Sequence, residues 1–95
     1  MSAKQATAIR VFETDRVIVT RWVFRPGEAT GFHTHRYDYV VVPISSGLLR
    51  IVEADGTAKE AQLHAGEPYS RKAGVAHDVV NENSFEFTFV EIELK

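Results

Sequence analysis

The sequence predicts an all-β chain folded as a sandwich or barrel, on three observations. Short runs rich in β-branched and aromatic residues recur about every ten residues. Glycine and proline punctuate them, and no segment sustains helical periodicity. Many short strands arranged in this way are the pattern of two packed sheets or of one closed sheet.

The elements follow in order. Arg16 to Phe24 (RVIVTRWVF) reads as a strand that stops at Pro26-Gly27. Phe32 to Ile44 is again extended, and Ser45-Ser46-Gly47 turns the chain into a strand from Leu48 to Ala54. Asp55-Gly56 signals a hairpin, with Lys59 to Leu63 as the returning strand. A turn at Ala65-Gly66-Glu67-Pro68 and a break at Gly74 precede a short strand from His77 to Asn81, and Phe85 to Leu94 is the last. Within that last run Phe85, Phe87 and Phe89 share one face, whereas Val90, Ile92 and Leu94 share the other. Either a β-bulge near Phe89 or burial of both faces at a subunit interface would produce such a change of phase.

Ninety-five residues allow a single domain with one modest core. Residues 1–8 are expected to form a flexible N-terminus. Composition is that of an ordinary globular protein, with 44% hydrophobic and 25% charged residues. There is no cysteine, which removes disulfides, thiolate metal sites and a cysteine nucleophile. A net charge of −2 provides no basic field for nucleic acid or an anionic membrane. No apolar run approaches the ~20 residues of a membrane span, and the first ten residues lack the apolar core of a secretory signal, so the cytoplasm is the expected compartment. Nucleophile elbows, phosphate loops, dinucleotide fingerprints and His-Glu-x-x-His helices are all absent.

The chemistry concentrates in Gly27-x5-His33-x-His35 and Gly66-x7-Gly74-x2-His77-x3-Asn81. Residues two apart on a strand face the same way, so His33 and His35 present two imidazoles from backbone positions about 7 Å apart. His77, on a separate strand, could complete a three-nitrogen set around one ion. His64 falls outside this pattern and reads as a surface residue.

These two spacings resemble the motifs of the cupin superfamily, and over roughly residues 17–94 the chain looks most similar to short bacterial single-domain cupins of the cupin 2 type, including those named for β-alanine degradation. Gly27, His33, His35 and Gly47 fit the first motif, but its glutamate position falls on Tyr39 or Val40. Gly66, Gly74, His77 and Asn81 keep the spacing of the second, with Lys72 in its proline slot. The resemblance implies a double-stranded β-helix, or jelly roll, and a divalent metal on His33, His35 and His77. Fe(II) is favoured, with Mn, Ni and Zn as alternatives. It also implies a homodimer, and dioxygenase chemistry ahead of isomerase or lyase chemistry.

Several roles stay open at this level. Tyr39 shares the parity of His35 and reads as a ligand or as a hydrogen-bond donor beside the metal; Asp38 faces outward unless a bulge intervenes. Three neutral imidazoles leave the full charge of a divalent ion in place, which favours an anionic or carbonyl-bearing small molecule as substrate. Arg71 and Lys72 are candidates to bind it. Arg21 with Trp22 and Arg36 with Tyr37 read equally as pocket walls or outer-face ladders. A non-catalytic barrel that binds a small ligand or a metal is the alternative to an enzyme, and a structural protein with a vestigial site is a third reading.

Overall fold

The structure, a computed structural model, describes residues 4–95. Its strands are β1 (Lys4–Gln5), β2 (Thr7–Glu13), β3 (Val17–Phe24), β4 (Glu28–Ala29), β5 (His33–Thr34), β6 (Asp38–Pro43), β7 (Gly47–Glu53), β8 (Ala58–Leu63), β9 (Tyr69–Arg71), β10 (Ala76–Asn81) and β11 (Phe87–Leu94). They form two sheets, one ordered β1-β4-β10-β7-β8 with β5 also on β10, the other ordered β2-β3-β11-β6-β9. The expected jelly roll is present. Its wall is not a closed ring, however: no ladder joins the two sheets among the described residues, and β8 and β9 end their respective sheets. Among those residues no helix is long and apolar enough to cross a membrane.

The N-terminal segment contributes a strand to each sheet. Residues 1–3 lie outside the described residues, but Lys4 and Gln5 pair in parallel with Glu28 and Ala29, and Thr7 to Glu13 pair along β3. Ala6 between them is buried and donates its backbone N–H to the Ala29 carbonyl. The polar sequence hid this because a backbone ladder does not depend on side-chain polarity, and a register shift between Arg10 and Phe12 breaks the alternation of β2. The extended run from Phe32 to Ile44 is likewise divided, into β5 and β6.

Near Phe89 there is no bulge. β11 pairs without interruption to β3 and to β6. Its inner face carries Phe87, Phe89, Glu91 and Glu93, so the apparent change of phase reflects carboxylates on the inner face and apolar residues on the outer one. The outer rows run Val19–Ile92–Val40 and Arg21–Val90–Val42.

The core fills one end of the space between the sheets. Phe24, Phe87, Leu49, Asn81 and Pro43 are the most enclosed large side chains, and Phe24 packs on Phe89 with ring centroids 5.4 Å apart. Gly47 closes this end by close approach: a Cβ there would stand 2.9 Å from Asn83 Oδ1. Asn81, fully buried, donates from Nδ2 to the carbonyls of Phe24 (3.1 Å) and Phe85 (2.9 Å) and accepts at Oδ1 from the Asn83 backbone N–H (2.9 Å). One side chain thereby ties β10 to segments of the opposite sheet.

Replacing Asn81 with Ala leaves the buried Phe24 carbonyl and the part-buried Phe85 carbonyl without this donor, and is expected to destabilise the fold by about 2–4 kcal/mol in urea titrations. A loss below about 0.5 kcal/mol would mean that the network carries no weight.

Candidate metal centre

The opposite end of the same space holds the histidines. In the antiparallel ladder between β5 and β10, His77 stands directly opposite His33. His35 lies just past β5 and is held by two backbone bonds, its N–H to Val75 O and its carbonyl from Gly74 N–H, both 2.8 Å. Gly74 reaches this geometry at φ 97°, a conformation that glycine adopts without strain.

The three imidazoles converge through Nε2. His33 and His35 are 2.9 Å apart at these atoms, His35 and His77 are 3.1 Å apart, and donor nitrogens of all three lie within 4.8 Å of one another. His33 Nδ1 is 2.8 Å from the Gly31 carbonyl, which can only accept, so the ring proton sits on Nδ1 and the Nε2 lone pair faces the cluster. A proton on His35 Nε2 can serve only one of its two close neighbours well. A cation between the rings would satisfy all three. At metal–nitrogen lengths of about 2.0–2.1 Å, right-angled ligands stand about 2.9–3.0 Å apart and tetrahedral ones about 3.3 Å. The His33–His35 and His35–His77 spacings fall within this range, so one ion can reach both pairs.

Protonation favours ligation. Burial, and then the neighbouring His33 and His77, push His35 down to about 4. Burial and His33 push His77 to about 4 as well, against the opposing pull of Glu53 and Asp78. Both rings are therefore neutral near pH 7, as metal binding requires.

Tyr39 is buried, and its ring stacks on His35 with centroids 3.8 Å apart and planes 18° from parallel. Burial, followed by Tyr69 and Glu91, raises its phenol to about 12. The side chain thus packs as a neutral wall that fixes the plane of His35. Val40, the other position at the motif glutamate, faces outward beside Ile92. Asp38 also points away, accepting the Ala73 N–H at 2.8 Å, and no carboxylate joins the cluster among the described residues.

The rings line a cavity of about 250 Å³ whose other walls include Trp22, Val41, Ile51, Val79 and Phe89. An adjoining recess of about 450 Å³ shares Tyr39, Tyr69 and His77 and opens beside Lys59 on β8 and Arg71 on β9, where the sheets are unjoined. Arg71 lies over the Tyr69 ring at 4.7 Å. Lys72 lines neither space. It extends outside to Asp38 at 3.9 Å, because it follows Arg71 by one residue and takes the opposite face. Trp22 is a cavity wall, whereas Arg21 is exposed; Arg36 lies over Tyr37, and neither lines the cavity. His64 is exposed at its turn.

Glu91 was missed by sequence reasoning. It is 9% exposed and lines the cavity with Glu93. Burial, and then Glu93, push it up to about 7, while the hydrogen-bonding Trp22 indole acts in the opposite direction. Its parity with Phe87 and Phe89 was the available signal.

No family model matches the chain. It is 46% identical over 91 residues to the β-alanine degradation protein BauB of Pseudomonas aeruginosa, covering 96% of this chain and 95% of that one. The crystal structure of a cupin domain from Bordetella pertussis Tohama I is 43% identical, with a TM-score of 0.95, covering 100% of this chain and 98% of that one. The polyketide cyclase RemF of Streptomyces resistomycificus shares the fold at 21% identity and a TM-score of 0.75, covering 97% of this chain and 66% of that one.

Glu91 and the histidines bend the pH dependence of stability in opposite senses. The Glu91 proton is held up to about 7 in the fold, against 4.5 ordinarily, so its stabilising contribution is complete below pH 4.5 and lost as pH rises through 7. Depressed His35 and His77 instead weaken the fold as pH falls from 6.5 toward 4. Metal-free Glu91→Gln, which keeps the histidine contribution, is expected to exceed the parent by on the order of 1–3 kcal/mol at pH 8 and to converge on it by pH 4.5. Denaturant titrations at both pH values measure this, and a pH-independent difference would contradict it.

Proposed function

The chain belongs to the cupin family, and on that premise we propose that it is a small metalloenzyme using one divalent ion held by His33, His35 and His77. The observation that carries this reading is the convergence of three Nε2 atoms into a small walled cavity. Fe(II) is the proposed ion, with Mn(II), Ni(II) and Zn(II) as alternatives. When bound, such an ion supplies Lewis acidity and open positions for an anionic oxygen or for O2.

The chain's own groups define the rest. Gly31 O holds the His33 tautomer, and Tyr39 holds the plane of His35. Trp22, Val41, Ile51 and Phe89 give the cavity apolar walls. Arg71, which lines the recess, is the group proposed to draw a carboxylate or enolate through it, rather than the outward Lys72. The proposed substrate is accordingly a small anionic or carbonyl metabolite, consistent with the naming of the P. aeruginosa relative for β-alanine degradation. Dioxygenation is the leading chemistry, with isomerisation or lyase chemistry next.

A homodimer is also proposed. Every residue of β2 is exposed, including Ile9 at 41% and Phe12 at 52%, and this strand borders the apolar outer rows around Val90 and Ile92. An unpaired edge beside an apolar face needs covering.

Fe(II)-loaded protein presented with small keto, enol and hydroxy acids is expected to consume O2 steadily with at least one of them; substrate turnover without O2 uptake would replace dioxygenation by isomerase or lyase chemistry. Sedimentation at micromolar concentration is expected to give twice the chain mass, falling to one chain in Ile92→Lys, and a monomeric parent would remove the dimer.

A further inference from the structure

Glu91 has a place in the cavity that the metal site does not account for. On β11 it stands between Thr20 of β3 and Val41 of β6, with its side chain on the inner face. No lysine or arginine is among the residues lining this cavity; Arg71 borders the recess beside it, and Arg10, in the same cross-strand row as Thr20 and Glu91, borders a second, more open depression that Glu91 also lines. Its polar neighbour on the cavity wall is the Trp22 indole, one donor for a group that accepts up to about four hydrogen bonds when ionised. A carboxyl 9% exposed and so sparsely partnered is costly to ionise, and a ligand donor would offset that cost.

We propose that Glu91 forms a second polar subsite in this cavity, selecting ligands that carry an ammonium or hydroxyl donor at the end remote from the group bound at the histidines. The inference rests on the metal-site reading for the other end of the ligand. A divalent ion at the imidazoles and a carboxylate at Glu91 make a cavity positive at one end and negative at the other, complementary to a zwitterion or to a hydroxy acid. The intervening walls, Trp22, Val41, Ile51 and Phe89, are apolar and suit a short methylene chain. At about 250 Å³, the cavity equals roughly eight waters of about 30 Å³ each, which limits the ligand to a small molecule. Glu93, Tyr39, Tyr69 and Arg71 share the field of Glu91, as do Arg10 on the neighbouring depression and the three histidines across the cavity. Arg71 is not a substitute for the donor, because it occupies the face of Tyr69 in the recess.

The chain's one tryptophan, Trp22, lies beside Glu91, so its fluorescence reports on this subsite directly. Ni(II)-loaded protein, with occupancy verified by elemental analysis, is titrated with 3-aminopropanoate and 4-aminobutanoate, each against its hydroxyl-ended and methyl-ended isostere. At one of the two lengths, the amino acid or the hydroxy acid is expected to bind at least tenfold more tightly than the methyl-ended acid. In Glu91→Gln, which keeps the size of the side chain, the amino preference is expected to fall within twofold. A tighter amino than hydroxy acid assigns the subsite to ammonium, and the reverse assigns it to hydroxyl. Equal or tighter binding of the methyl-ended acids, an amino preference that survives Glu91→Gln, or no binding to fully loaded protein would overturn the subsite. Failure to load Ni(II) at all would instead strike the metal-site reading, which the elemental analysis registers separately.

Discussion

The pairing of His77 opposite His33 is the constraint on which the candidate site depends. Directly opposed residues of an antiparallel pair have Cα atoms roughly 4.5–5.5 Å apart, so this register alone brings two imidazoles together. A slip of one residue would turn His77 to the outer face and dissolve the cluster. Gly74, in its left-handed turn, delivers β10 in register and bonds the His35 carbonyl, while Asn81 locks the far end of the same strand. Stability and site geometry therefore share one ladder.

Strand alternation then separates core from chemistry along each inner face. On β10 the inward series is Asn81, Val79, His77; on β6 it is Pro43, Val41, Tyr39; on β11 it is Phe87, Phe89, Glu91, Glu93. Each begins in the packed end and finishes at the cavity. The packed end supplies the hydrophobic stabilisation, which frees the other end to hold groups that burial disfavours. Neutral His35 and His77 and a carboxyl raised to about 7 are the consequences of that division.

Much of this was legible in the sequence, for identifiable reasons. His33 and His35 share a face by parity, and the spacing of Gly66, Gly74, His77 and Asn81 located the partner strand. Tyr39 was correctly placed on the inner face, but its stacking on His35 depends on side-chain packing that parity does not encode. The carboxylates of β11 were obscured because polar residues on an inner face mimic a slipped register. β9 is too short to show alternation, and β2 carries a bulge and is exposed on both faces, so neither left a periodic signal. The opening between β8 and β9 is a property of the assembled sheets and has no local signature.

The most direct test of the account is the metal content of untagged protein prepared without chelator and incubated with Fe(II), Mn(II), Ni(II) or Zn(II). The parent is compared with His33→Ala/His77→Ala and with His64→Ala, an exposed histidine away from the cluster. Close to one ion per chain is expected in the parent and in His64→Ala, and none in the double variant. A parent that stays empty in all four metals, or a double variant that loads as well as the parent, would contradict it.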